Sequence, residues 1–269
     1  MPEGPEVRKV TDQLLETVGG KVLTDIAIVS GRYAKKDPDG CQAFTALLPM
    51  QVSKVDCKGK FIYFQMGNPE WTIWSTLGMT GAWSKTASEH TRLMFVFEDG
   101  TQIFYNDMRN FGTIKFVKGK AQLTKKLGSL GPDMLQEDLS DSEFKRLVRR
   151  KGHKTLPEIL MDQKVISGVG NYLKAEALYL AKLSPHRKGN SLTDEELATL
   201  NQTIKATIRD SYSHGGSTFK TYADMNGEVG NFSSRFAVYR RETDPLGNKV
   251  VSEDTKDKRT TWWVPAVQK

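Results

Sequence analysis

Apolar residues recur at helical spacing along the start of the chain, at Val7, Val10, Leu14, Leu15 and Val18, as on one face of an amphipathic helix. Pro5 suits a first turn and Gly19-Gly20 a stop, which predicts a helix from Pro5 to about Val18. The pattern then changes to short β-like runs at Lys21–Val29, Gln51–Val55, Lys60–Met66, Trp71–Trp74, Thr91–Phe97, Thr101–Tyr105 and Thr113–Val117. Dense strand signals with short connections predict an antiparallel sandwich or barrel. Thr124–Met134 reads as a linker broken by Gly128, Gly131 and Pro132. Helical patterns dominate after it, over Phe144–Val148, Leu156–Gln163, Asn171–Leu183 and Thr193–Ser211, with capping boxes at Ser140–Glu143 and Thr193–Glu196. Strand character returns over Phe236–Lys269 around a polar middle, Asp244–Arg259, as in a β-hairpin. The expected fold is α+β: a helix and antiparallel β-sandwich in 1–123, a linker at 124–135, a helical domain at 136–235 and a terminal hairpin at 236–269.

Composition narrows the class. The chain of 269 residues carries a formal net charge of +7, which favours a polyanionic partner without specifying it. No run approaches the length of a membrane span, and MPEGPEV lacks the basic start and apolar stretch of a signal peptide. A soluble, intracellular protein is expected. Cys41 and Cys57 are the only cysteines, so no disulfide framework is implied. No CxxC pair occurs, and His90, His153, His186 and His214 form no ligand pair at metal spacing. No metal and no other cofactor is expected. The basic stretch Lys145–Lys154 reads as a solvated helix face, because Leu147 and Val148 give it ordinary amphipathicity.

The N-terminus holds the sharpest chemistry. Removal of Met1 turns Pro2 into a terminal secondary amine. An α-amino group titrates around 8, so a useful fraction is unprotonated near neutral pH and able to attack a sugar C1′. Glu3 and Glu6 lie three residues apart beside a helix start, where their carboxylates share a face and are suited to moving protons. The plainer reading is an ordinary chain start whose acids favour the helix dipole. A third is a tautomerase, in which a terminal proline acts as a base, but that chemistry needs no basic helical module.

Five motifs occur in order: MPEGPEV at the start, KGK at 58–60, LGMTG at 77–81, DMRNFG at 107–112 and LMDQKVISGVGNYLKAEAL at 160–178. With the closing RTTWWVPAVQK, the chain resembles the formamidopyrimidine-DNA glycosylase and endonuclease VIII family over nearly its whole length. The terminal hairpin resembles the zincless finger of some endonuclease VIII-like proteins. The resemblance implies a bifunctional glycosylase and abasic-site lyase that removes oxidised bases from double-stranded DNA and cuts the strand by β,δ-elimination, acting as a monomer. By that resemblance Pro2 is the Schiff-base nucleophile, Glu3 the proton-shuttling carboxylate, Glu6 a supporting acid, and Lys60 the lysine that bridges the catalytic site and a phosphate. The turn Gly168–Asn171 becomes the helix-two-turn-helix element, with Gly170, Asn171 and helix-start N–H groups meeting a phosphate. Arg259 matches the fingertip arginine that contacts phosphates.

Met79, Arg109 and Phe111 match the residues that fill the void left by an everted nucleotide, a step the chemistry at C1′ requires. By pattern alone Met79 and Phe111 read as core, but Gly78, Gly81 and Gly112 favour loop tips. The glycine-rich segment 214–232, with Ser217, Thr218 and Lys220, resembles the loop over the damaged base. Cues to the substrate are opposed: MPEGPEV is more like endonuclease VIII, whereas this loop and the void-filling trio follow the formamidopyrimidine glycosylases. Thr76 stands where the family has a histidine. A non-catalytic protein that binds damaged DNA is the alternative, and retained Met1 would produce it. If the phosphate assignments hold, affinity for DNA falls by roughly 0.9 log units per log unit of salt for each phosphate neutralised. Titrating binding against salt measures this slope, and a flat response removes the assignments.

Overall fold

The computed structural model describes residues 2–68, 70–217 and 224–269. By its internal contacts the chain divides into two units: Glu6–Ser129 with Pro2 and the segments 215–217 and 224–230, and Glu3–Pro5 with Leu130–His214 and Asn231–Lys269. The first helix, α1, spans Gly4–Val18. Val7, Val10, Leu14 and Val18 are buried, but Leu15 is 39% exposed, because it lies about 100° around the helix from Leu14.

The first unit carries eight strands: β1 (Val22–Ile28), β2 (Met50–Lys58), β3 (Phe61–Met66), β4 (Trp71–Thr76), β5 (Gly81–Ser84), β6 (Thr91–Phe97), β7 (Gln102–Asp107) and β8 (Thr113–Lys118). All named pairs are antiparallel, in the order β5-β7-β6-β1-β2-β3-β4-β8. β1 and β2 are paired only at Val22↔Gln51 and Leu23↔Met50, so the sheet turns a corner there and closes into two four-stranded layers. Aromatic side chains fill the space between them. The Trp83 ring lies 5.4 Å from Phe64 and 5.1 Å from Phe95, and Phe95 lies 6.5 Å from Phe116. The Trp83 indole donates to Ser75 Oγ at 3.1 Å, which satisfies its buried N–H.

Short elements escape a periodicity reading. Strand β5, which bears Trp83, is too short and too glycine-flanked to register as one. Helix α2 (Cys41–Thr45) is likewise brief. Helix α3 covers Lys120–Gly128, so the segment expected to be an irregular linker begins inside a helix that ends where Gly128 was expected to break the chain. Lys60 falls in the turn between β2 and β3, behind Gly59 at φ +57°, and the strand begins one residue later than expected.

The second unit holds α4 (Asp141–Arg149), α5 (Leu156–Leu160), α6 (Asn171–Leu180) and α7 (Asp194–Ser213), then the hairpin of β9 (Val251–Asp254) and β10 (Thr260–Trp263). Of the two expected capping boxes, Thr193 and Glu196 make the full box, whereas at Ser140 the hydroxyl accepts the Glu143 N–H as a simple cap. In the basic stretch, Lys145 pairs with Asp194, and Arg149 donates to the Gly189 and Leu192 carbonyls. The hairpin is shorter than expected, since 236–250 runs in turns. Those turns have an anchor: the buried Glu176 carboxyl on α6 accepts the N–H groups of Ala237, Val238 and Tyr239 at 2.8, 3.0 and 2.8 Å. The Tyr239 ring then meets Trp262 edge-on at 4.6 Å. No helix of the described residues is long and apolar enough to cross a membrane.

Trp83 is fully buried. Replacing it by alanine is therefore expected to lower the unfolding free energy by about 3–5 kcal/mol. Chemical denaturation measures the loss, and a near-zero value would mean that the layers do not pack around this ring.

Candidate active site

In the second unit the chemistry begins at Glu3, which is 2% exposed. Its carboxyl accepts the Tyr172 N–H at 3.0 Å and the Leu173 N–H at 3.3 Å. These are among the N–H groups that a helix leaves unsatisfied in its first turn, at the positive end of its dipole. Gly170, the residue before α6, has ordinary extended backbone. Its role is spatial: a Cβ there would run into the Glu3 carboxyl. The Gly4 N–H donates to the Gly168 carbonyl at 2.8 Å, and Gly168 takes φ +96°. Gln163 closes the same turn, accepting from the Gly168 N–H at 3.0 Å and donating to the Val169 carbonyl at 3.0 Å.

This corrects one expectation. Helix-start N–H groups were expected to meet a phosphate, but those of Tyr172 and Leu173 are taken by Glu3. One N–H of the Asn171 amide donates to the Thr260 carbonyl of the hairpin at 2.9 Å. Arg259 is exposed at the hairpin tip. Beneath the tip, Lys174 on α6 pairs with Asp257 at 2.9 Å, with side chains 0% and 4% exposed.

In the first unit, Pro2 is buried and Lys60 half-buried. The Glu6 side chain, 1% exposed, accepts the Ser217 N–H at 2.6 Å. Gly216 lies against the same carboxyl at φ +82°, where a side chain would be both strained and obstructed. Ser217 Oγ is buried with no hydrogen-bond partner among the described residues. Thr218 and Lys220 lie outside the described residues. Beyond them, Asp224 accepts from Gln13 Nε2 at 2.8 Å and pairs with Lys9 at 3.3 Å. Helix α1 therefore meets both described flanks of the loop, through Glu6 and through Gln13 with Lys9.

Met79, Arg109 and Phe111 occupy two adjoining loops. Met79 is half-buried, Arg109 exposed and Phe111 56% exposed. The Arg109 guanidinium lies over the Phe111 ring at 4.7 Å. The buried Asp107 carboxyl joins the two loops, accepting from Thr80 Oγ1 at 2.6 Å and the Gly112 N–H at 2.8 Å. Thr80 Oγ1 in turn accepts the Arg109 N–H at 3.0 Å. Arg92 holds the Asp107 carbonyl at 2.8 Å, and Arg32 donates to the Asn110 and Gly112 carbonyls. Thr80, Asp107, Arg32 and Arg92 were not singled out from sequence, although the first two sit inside LGMTG and DMRNFG.

Known proteins resemble this chain over its whole length. Family models for formamidopyrimidine-DNA glycosylase match in chain order: the N-terminal domain over residues 1–114, the H2TH domain over 130–223 and the C-terminal domain over 228–269. A formamidopyrimidine-DNA glycosylase of Cytobacillus firmus is 33% identical over 251 residues, covering 91% of this chain and 90% of that protein. The chain belongs to the formamidopyrimidine-DNA glycosylase family. A Listeria monocytogenes member is 31% identical over 281 residues and the full length of both chains. Among solved structures, the Thermus thermophilus MutM (Fpg) protein superimposes with a TM-score of 0.86 at 32% identity, covering 99% of this chain and 98% of that one. A Lactococcus lactis Fpg variant in complex with Fapy-dG-containing DNA gives 0.88 at 25% identity over the full length of both.

Within this glycosylase family member, the finger hairpin carries no cysteine. Cys41 and Cys57 lie in α2 and β2. No group of three or more His, Cys, Asp or Glu side chains among the described residues is arranged to hold a metal ion.

Gly170→Ala is expected to force the Glu3 carboxyl off α6 and leave two helix-start N–H groups without their acceptor. The expected loss is about 2–4 kcal/mol of stability, measured by thermal or chemical unfolding. An unchanged melting temperature would mean that the carboxyl has another place to go.

Proposed function

We propose that this chain excises oxidised bases from DNA and cuts the strand at the resulting abasic site, with the Pro2 nitrogen as nucleophile. With Met1 removed, the amine attacks C1′ and the base leaves with the electrons of the glycosidic bond. The nitrogen lone pair then forms an iminium at C1′ as the C1′–O4′ bond opens, and O4′ takes a proton. Loss of a proton from C2′ expels the 3′ phosphate, a second elimination expels the 5′ phosphate, and water releases the amine.

The observation that carries the reading is Glu3, a buried carboxyl held on two helix-start N–H groups and covalently next to Pro2. A carboxyl so fixed is suited to deliver the proton to O4′. Glu6 serves as a supporting acid, and its bond to the Ser217 N–H ties it to the loop assigned to the base. Lys60, Gly170, Asn171 and Arg259 hold the phosphates around the lesion, and Met79, Arg109 and Phe111 fill the gap in the duplex. The exposure of Phe111 on a loop supports that last role, because a core phenylalanine would be buried. Thr218 and Lys220 complete the base loop.

Borohydride trapping tests the proposal on duplexes carrying 8-oxoguanine, thymine glycol or an abasic site, with Met1 loss verified by intact mass. A covalent complex is expected for the native chain and is greatly reduced for Pro2→Gly. Glu3→Gln is expected to lower base excision by roughly 10²–10⁴-fold. No complex on any duplex, with Met1 absent, would leave a protein that binds damage without cutting.

A further inference from the structure

A fully buried lysine takes no part in the chemistry above. Lys174 stands on α6 beyond Asn171, and its ammonium reaches Asp257 beneath the fingertip turn Thr255–Arg259. The other Asp257 oxygen accepts the Thr255 hydroxyl at 2.5 Å. That hydroxyl is also 2.7 Å from Thr261 Oγ1 and 3.1 Å from the Arg259 carbonyl. The Thr255 N–H closes the turn onto the same carbonyl at 3.1 Å, with Lys258 at φ +59°. Asp257 thus points inward while Lys256, Lys258 and Arg259 are exposed.

We propose that Lys174 and Asp257 form a positioning pair: they fix the basic fingertip to α6 and so set where Arg259 presents its guanidinium to a DNA phosphate. The inference rests on the assignment of Arg259 to a phosphate made above. Two apolar side chains of similar volume would hold the turn down as well or better, since burying two charges is costly. An ion pair adds a defined distance and direction. Burial draws the Lys174 ammonium below its ordinary value, Asp257 and then Glu3 oppose that pull, and Arg259 adds to it. The anchor therefore lies within electrostatic reach of both the acid at the N-terminus and the fingertip.

A double-variant cycle tests the pair, using affinity for a duplex with a stable abasic analogue as the readout. Lys174→Met is expected to weaken binding about tenfold when Arg259 is present and no more than about twofold in an Arg259→Ala background. Equal losses in both backgrounds would overturn the inference and leave the phosphate assignment standing. No loss from Arg259→Ala alone would sink both. If Lys174→Met fails to fold because Asp257 is left as an uncompensated buried charge, Lys174→Met/Asp257→Leu takes its place. That variant is expected to melt no lower than the parent and still bind about tenfold more weakly. Recovery of affinity together with stability would reduce the pair to a structural role.

Discussion

A carboxyl group as buried as that of Glu3 has lost its water, and the free energy of keeping it inside must come from protein donors. Here it comes from the first turn of α6, through the Tyr172 and Leu173 N–H groups. Much of the local sequence follows from that. Gly170 must lack a side chain, Gly168 must take a left-handed backbone to offer its carbonyl to Gly4, and Gln163 must bracket the turn so that the helix starts there. The same helix then carries two more buried charged groups, Lys174 toward the fingertip and Glu176 toward the root of the hairpin. One ten-residue helix thus fixes the acid, the tip and the root, which explains why charges interrupt its apolar sequence.

Where periodicity was strong, the chain was legible. The stripe Val7, Val10, Leu14 and Val18 made α1 plain, and the capping residues Ser140 and Thr193 marked the starts of α4 and α7. Strand β5 was missed because four residues give too little alternation to detect, although its Trp83 lies in the middle of the sandwich core. The finger region was misread over 236–243, where strand character was expected and the Glu176 carboxyl instead satisfies a run of backbone N–H groups, while β9 lies inside the stretch read as a polar middle. The motifs placed the candidate residues on the chain, but their partners are long-range. Nothing local in the sequence announces that Glu3 will meet residues 172 and 173, or that Asp257 will meet Lys174. Such pairs arise only when distant segments pack.

The two loops bearing Met79, Arg109 and Phe111 are cross-linked by one carboxyl, that of Asp107, through Thr80 and the Gly112 N–H. Gly78 lets them close up, since a Cβ there would lie 2.7 Å from the Gly112 nitrogen. On the proposed reading these residues enter a duplex, and their joint anchoring has an entropic consequence. Side chains that must be immobilised on association each cost about 0.5–1.5 kcal/mol. Loops already locked to each other in the free protein lose less freedom on contact, so more of the interaction free energy remains to separate the stacked bases. The wedge then behaves as one tool rather than three fingers, and a change at Thr80, which touches no DNA on this account, would blunt all of it together.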